Sequence, residues 1–534
     1  MTRRAAALSL SGWTAAAALV AALAAAPRLQ RLARDYDRRL QPASDELEYY
    51  ELGRALKFDG VFSAPGLAWS PSAHRGLLYP SFIAVSSGLT RNGPGSVRLS
   101  LFLLNMACVV LAWRLGAAVH SPAAGALSGL LFALAPGQIG ASSSLYIESF
   151  YTFCLACAAL AAVFWARDPS GRRSALLGLS LGVGLTCRSV FFALPPLLAA
   201  WALLRLPGFR KRSAVLLIAA SYLPLIPWAA RNYRQFREFI PFERHGATMV
   251  LYTASLGMDL GPTEDEAFRL FREQLRAEGR PSPAGPDSDG ILLAAGRNIA
   301  AKPLQFAART LLRGLRFAGM IVAQLHWIVL VPLILGLFAV KGNQSLEALW
   351  VVLLYFTAVY SPMSLASRYA VPVVPVLCVL AAAGAARFLP RGASGPPSSS
   401  EENLWLAVAH APLFALYGAG ILFLARESAA LPAGAAVSQT ADAFTGHRLG
   451  LELSVEGKFC DALGPLENSL QRPSKNPATA SKLQSDLSTA EYLCGRRDSA
   501  RRHLLQALAL DPANESAVRS LPAVMGEEVK HIPH

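Results

Sequence analysis

The chain has 534 residues, 53% of them hydrophobic and only 16% charged, with a mean hydropathy of +0.36. So little charge on so apolar a chain excludes an ordinary soluble domain. The formal net charge is +15, but Lys and Arg gather in short loops between apolar runs; that placement argues against nucleic acid as a partner and for loops sorted across a membrane.

Apolar runs at 123–139, 149–165, 213–230, 319–340 and 404–424 are each near the roughly 20 residues that cross hydrocarbon as a helix. The clusters Thr2-Arg3-Arg4, Arg114, 167–173, 205–212, Lys341 and 387–391 are read as cytoplasmic. That assignment gives about eleven spans, an inner N-terminus and an outer tail after about residue 426. The first run is read as an anchor instead of a cleaved signal, because the bundle is built around it.

An external loop follows at about 28–98, with short interfacial helices expected over 45–57 and 77–89. In Ser44-Asp45-Glu46-Leu47-Glu48-Tyr49-Tyr50, Ser44 or Asp45 can cap a helix whose first turn is acidic. Capping accounts for one carboxylate; three crowded together repel one another and imply a further task. Farther on, Glu148 abuts a spanning run, where a lone acid is costly without a partner or a role. Cys154 and Cys157 are read as small packing residues, and Gly182-x-Gly184 as a helix-packing surface.

Arg188, Arg231, Arg234 and Arg368 each stand beside an apolar span on the outer side. A guanidinium there can grip a phosphate with two parallel hydrogen bonds, although arginines at helix ends also simply reach for headgroups. A second external segment, 231–316, holds a charged helix around 263–279 and a flexible loop at 281–290. His74 and His245 fall in external loops, and the scattered histidines supply no metal set. There is no phosphate-binding P-loop, nucleophile elbow or dinucleotide fingerprint in a strand-helix setting.

A Pro/Ser/Gly linker at 391–400 precedes the last span. From about residue 441 the tail reads as a separate soluble helical module over 441–520. Gly495, Ala500, Leu504, Ala507 and Pro512 fall at tetratricopeptide positions, as do Leu449, Gly450, Gly457, Ala462 and Leu466 in a weaker copy. Two repeats are fewer than a solenoid needs, so the module is expected to pack on the membrane domain or a partner. Cys460 and Cys494 lie where a disulfide is permitted, and free thiols fit equally well.

Taken in order, several segments resemble one family. Asp45-Glu46-x-x-Tyr49-Tyr50-x-Leu52-x-x-x-Leu56 with Arg75-Gly76-x-Leu78-Tyr79-Pro80 is similar to the first external loop of glycosyltransferase family 39, which includes protein O-mannosyltransferases and the aminoarabinose transferase of lipid A. Tyr146-x-Glu148-Ser149, Thr186-x-Arg188, Pro227-Trp228-x-x-Arg231-Asn232-Tyr233 and Arg368-Tyr369-x-x-Pro372 resemble its later motifs.

The resemblance implies an all-α, polytopic GT-C membrane bundle over 1–426 that takes sugar from a polyprenyl-phosphate donor and inverts the anomeric centre. It further implies Asp45 as catalytic base with Glu46 beside it, Arg188, Arg231 and Arg368 toward the lipid phosphate, and Glu148 nearby. Tyr49, Tyr50 and Tyr369 are candidates to stack on sugar. No cofactor is expected beyond the lipid-linked sugar itself. The acceptor is an external hydroxyl of protein, lipid or glycan, and the site and tail are expected in the periplasm of a bacterial inner membrane. The alternatives are a non-catalytic scaffold that recruits partners through its tail, and a transporter or polymerase of lipid-linked sugars.

Overall fold

Proline placement and glycine contacts decide where the apolar runs continue as single helices and where they break. A computed structural model describes residues 2–40, 45–63, 72–90, 93–244, 246–262, 264–280, 288–339, 342–386, 399–430, 453–454, 457–470, 477–512 and 514–526. Ser44, His245, Lys341, Leu449 and Gly450, with most of the linker at 391–400, lie outside them.

The order is α1 Thr2–Asp35, α2 Asp45–Phe58, α3 Leu78–Ser86, α4 Gly93–Val119, α5 Pro122–Leu134, α6 Pro136–Ala141, α7 Glu148–Arg167, α8 Gly171–Leu185 and α9 Leu194–Arg205. It continues as α10 Lys211–Tyr222, α11 Ile226–Phe236, α12 Gly246–Ser255, α13 Glu264–Ala277, α14 Ser288–Ala301 and α15 Pro303–Ala323. The membrane part ends with α16 Leu330–Ala339, α17 Gln344–Tyr360, a 3-10 turn Ser367–Val373, α18 Val374–Ala385 and α19 Ser399–Ala430. The fold is all-helical. Among the described residues, five helices are long and apolar enough to cross a membrane: Gly93–Val119, Glu148–Arg167, Lys211–Phe236, Ser367–Ala385 and Ser399–Ala429.

At the centre runs α7, buried along its whole candidate span. Its alanines and cysteines, Cys154 and Cys157 included, let neighbouring backbones approach from all sides. Its 20 residues rise about 30 Å, so Glu148 and Arg167 mark opposite ends of the bundle. At the Arg167 end, Arg167 and Arg173 both pair with Glu402, at 2.9 and 2.8 Å, and Arg114 pairs with the adjacent Glu401. Ser345 donates to Val163 O and so brings the start of α17, with its Arg205–Glu347 pair, to the same end. Arg114, Arg167, Arg173 and Arg205, from three of the basic clusters read as one side of the membrane, lie at this end of the molecule.

Two expected spans break. The run 123–139 divides at Ala135, because Pro136 has no N–H to continue α5 and its ring clashes with the preceding turn. The run 319–340 divides between α15 and α16, where His326 adopts φ 62° and a 3-10 turn, Trp327–Val329, intervenes. Pro332, in the first turn of α16, has no N–H with which to continue a helix from α15 and so marks the restart, while the left-handed turn at His326 has no proline of its own.

The large external segment is more structured than its sequence suggests. Met249, Tyr252, Ala267, Phe271, Leu275 and Ile291 form a separate small core between α12, α13 and α14, and residues 288–290, expected as loop, open α14. Backbone bonds from Ser364 N to Val250 O (3.0 Å) and from Leu365 N to Asp259 O (2.9 Å) fasten this unit just ahead of the Ser367–Val373 turn.

In the tail, helices Phe459–Leu470, Pro477–Leu493, Arg497–Leu510 and Glu515–Met525 follow one another. Ala500, Leu504 and Ala507 are fully buried, and a Cys460–Cys494 disulfide joins the first two helices.

Glycine explains one tight contact directly. A Cβ on Gly178 would stand 2.5 Å from Leu217 O, and one on Gly182 would stand 2.4 Å from Ser221 O. The α8 face carrying them therefore lies backbone to backbone against α10. Gly182→Val is expected to push these helices apart and cost about 2 kcal/mol or more, read as a lower unfolding temperature of the detergent-solubilised protein against an exposed helical control, Gly296→Ala, where an added Cβ meets nothing.

Candidate active site

An acidic first turn opens α2 with Asp45, Glu46 and Glu48. The three carboxylates diverge, because each meets a different partner. Arg75 Nη2 donates to Asp45 Oδ1 at 3.0 Å, while Arg368 Nη2 pairs with Asp45 Oδ2 at 2.7 Å. Arg75 Nε also donates to Glu48 Oε2 at 2.9 Å, and His74 Nδ1 lies 2.6 Å from Glu48 Oε1. Burial alone would push the Glu48 carboxyl up, but the Arg75 charge and the His74 contact override it and hold the group at about 2. His74, read as a histidine of an external loop, is engaged with this carboxylate.

Glu46 turns away. Its Oε1 accepts from Ser144 Oγ at 2.9 Å and from Leu145 N at 2.8 Å, Arg38 approaches Oε2 at 3.4 Å, and the residue is 5% exposed. It fastens α2 to the 142–147 loop, which corrects its expected catalytic role. Tyr50 is corrected likewise: its hydroxyl is pressed against Gly93 at the start of α4, so the ring packs between helices. Tyr49 is buried, edge-on to Tyr79 at 4.9 Å and with Arg75 5.1 Å from its ring centre, so it walls the site with little surface left for a sugar.

Gly76 brings in the next group. A Cβ there would lie 2.5 Å from Thr186 O, and Leu78 N donates to that same carbonyl at 3.1 Å. The Arg75-Gly76 segment is thereby zipped to the end of α8, which puts Arg188 beside the acidic cluster. Glu243 takes both the Ser189 N–H and the Ser189 hydroxyl, the latter at 2.6 Å, and so fixes the backbone directly after Arg188. The Arg188 guanidinium lies over the Tyr369 ring at 5.0 Å, and among the described residues no hydrogen bond or ion pair engages it.

Arg368 completes the group from the Ser367–Val373 turn. Besides Asp45 it faces Glu148 Oε1 at 3.8 Å and the Tyr146 ring at 4.9 Å, and its side chain is 40% exposed. Glu148, at the first residue of α7, is buried with Oε2 unpartnered. Tyr369 stacks on Tyr360 with ring centres 5.1 Å apart. Among the described residues no three His, Cys, Asp or Glu side chains converge as a metal set.

Arg231 is elsewhere. Nε and Nη2 donate to the two oxygens of Glu427 at 2.7 and 2.6 Å, Nη1 to Ser72 O and Asn232 Oδ1, and Nη2 also to Phe62 O. All five N–H groups are engaged and the pair is buried, so none is left for a phosphate. Neighbouring Arg234 donates to Ser428 O. The expected donor contact at Arg231 is instead a clasp that binds the first external loop and α11 to the end of α19.

Asp45, Glu148, Arg188 and Arg368 thus come together from four separate segments, joined by Arg75, Glu48 and Glu243, which carried no assigned role in the sequence. The acidic partner of Arg75 yields a pH test. A depressed carboxyl contributes stability fully above its ordinary value, and that contribution is lost as pH falls through the folded value. Loss from Glu48 is therefore expected between pH 4.5 and 2. Glu48→Gln should cost about 3 kcal/mol at neutral pH and flatten the acid limb of thermal unfolding.

Residues 74–230 match the model of the dolichyl-phosphate-mannose-protein mannosyltransferase family. The oligosaccharyltransferase AglB of Archaeoglobus fulgidus, solved with an inhibitory peptide and a dolichol-phosphate, matches at 15% identity and a TM-score of 0.44 over 86% of this chain. This chain spans 60% of that protein's length. ArnT of Cupriavidus metallidurans, in the apo state, matches at 16% identity and a TM-score of 0.41, covering 97% of this chain and 78% of its own. No curated protein sequence matches.

Proposed function

We propose that this multi-pass membrane chain, which resembles the GT-C superfamily of glycosyltransferases, transfers a sugar from a polyprenyl-phosphate donor to a hydroxyl on the outer side of a membrane. The observation that carries the reading is the unpaired Arg188 guanidinium beside a carboxylate held by two further arginines. A monoanionic sugar phosphodiester needs a cation that has no protein acceptor to give up first, and Arg188 is that cation.

The acceptor hydroxyl loses its proton to Asp45 as its oxygen bonds to the anomeric carbon. The bond from that carbon to the phosphate oxygen breaks on the opposite face, so the configuration inverts and polyprenyl phosphate departs with a second negative charge. Arg188 and Arg368 stabilise that charge as it develops, which lowers the barrier more than it stabilises the bound donor. Engaging Arg368 with phosphate draws it from Asp45 Oδ2 and frees that oxygen to receive the proton. Tyr369 and Tyr146, the rings beside these arginines, face the sugar, and Glu148 keeps Arg368 oriented.

The matched family's description names a lipid-phosphate donor and a protein acceptor, and the archaeal oligosaccharyltransferase binds dolichol-phosphate and a peptide. Both agree with this reading. The reading also places the active site and the repeat-like tail in the periplasm of a bacterial inner membrane, with the tail presenting an acceptor or partner.

Transfer of radiolabelled sugar from polyprenyl-phosphate donors to envelope acceptors tests the proposal in membranes matched for expression. The intact chain should incorporate label, and Asp45→Asn should lower incorporation about 100-fold or more. Equal incorporation by the two would remove Asp45 as the base.

A further inference from the structure

A guanidinium buried in the membrane part of the chain is costly unless it does something. Arg28, on α1, is fully buried, and no carboxylate pairs with it among the described residues. It donates through Nη1 to Ala133 O at 2.7 Å and through Nη2 to Phe132 O at 3.2 Å. These are carbonyls of the last turn of α5, just ahead of the break at Pro136, where the helix presents its negative end. Arg28 therefore caps the break that sends the chain into α6.

Nη1 also donates to Ala24 O within α1, at 3.0 Å, and the third nitrogen points inward. Arg28 Nε donates to Asn105 Oδ1 at 2.7 Å, which leaves the Asn105 amide N–H groups to donate to Gln138 Oε1 at 3.0 Å and Ser149 Oγ at 3.3 Å. With its oxygen so used, Gln138 turns Nε2 toward Val371 O, at 2.7 Å, and Thr152 Oγ1, at 3.4 Å. Val371 shares the Ser367–Val373 turn with Arg368. Thr152 lies one turn after Glu148 and donates to its carbonyl at 2.7 Å. One amide thus spans the helix that begins with Glu148 and the turn that carries Arg368. Asn105 and Gln138 are both fully buried.

We propose that Arg28, Asn105 and Gln138 form a positioning relay that holds Arg368 and Glu148 at their working separation, a role that rests on the donor-phosphate reading of the site. Direction is built into the chain. Arg28 can only donate, so it fixes the Asn105 amide, which fixes Gln138, which leaves a single N–H orientation toward the Arg368 turn. None of the three touches substrate; each acts through its neighbour.

Two variants separate positioning from mere packing. Asn105→Asp keeps an acceptor for Arg28, now as a charge pair, but has no N–H for Gln138, so it cuts the relay without unfolding the bundle. Gln138→Met keeps the chain length and loses both donated bonds. The full-length protein is used in lipid nanodiscs. In a Tyr146→Cys/Ser367→Cys background, at one half-buried and one exposed position flanking Glu148 and Arg368, the yield of bridging by a short bifunctional thiol reagent reports the separation without any substrate; the native free cysteines among the described residues are all buried. Kinetics are measured in parallel with both native residues restored.

Asn105→Asp should unfold no lower than its parent, yet bridge about threefold less and lower kcat about tenfold or more, with donor KM changed less than about threefold. Gln138→Met should do the same to bridging and kcat. Unchanged bridging in both variants overturns the relay, as does a loss of kcat that only tracks a lower unfolding temperature. If even the intact chain transfers no sugar while bridging still depends on Gln138, the proposed transferase reading fails and the relay stands.

Discussion

Two guanidiniums share the Asp45 carboxylate, and the Glu148 end of the molecule is arranged around that shared group. Arg75 comes from the first external loop and Arg368 from a turn nearly 300 residues later in the chain, so the Asp45 contacts close the site across its sequence-distant walls. Each is held from behind: Arg75 by Glu48, and Arg368 through the turn that Gln138 grips. A carboxylate bound on both oxygens is pre-oriented but occupied. In the proposed mechanism, releasing one of its arginines to an incoming phosphate would couple donor binding to the availability of a base, a chemical use for an otherwise expensive concentration of charge.

The last helix supplies the mechanical counterpart. Near its start Glu401 and Glu402 are gripped by Arg114, Arg167 and Arg173, and near its other end Glu427 is gripped by Arg231. Isolated surface pairs would add little, but the Arg231–Glu427 pair is buried and fully hydrogen-bonded, and removing either partner would strand a charge. Its reach to Phe62 O and Ser72 O also fixes both ends of the segment that leads to Arg75. The clasp therefore serves the site without belonging to it.

This division explains what the sequence could and could not convey. Long apolar runs announce membrane helices because length and hydropathy are local properties, and Pro136 announces its own break. The break near His326 is announced only in part: Pro332 marks the start of α16, but the left-handed turn at His326 has no sign of its own until its neighbours are known. Motif order grouped Asp45, Glu148, Arg188 and Arg368, which lie near one another in the fold. It could not reveal that Glu46 points to Ser144, that Tyr50 meets Gly93 or that Arg231 meets Glu427, 196 positions away. A side chain's direction is decided by partners distant in sequence, and Arg231 looks the same before an apolar span whether it holds a phosphate or a glutamate. Glu243 gave no signal at all, because its value lies in two bonds to Ser189 across a loop.

Arg188 and Arg231 are therefore the informative contrast: two arginines beside apolar helices, one without a protein acceptor among the described residues and the other saturated. The most direct measurement is the affinity of the purified protein for polyprenyl phosphate without its sugar, determined by calorimetry for the intact chain and for Arg188→Gln at matched unfolding temperature. The account predicts that the substitution weakens binding about tenfold or more, the loss of one charge-assisted contact to phosphate. Equal affinity in the two proteins would contradict the claim that Arg188 is held open for the donor.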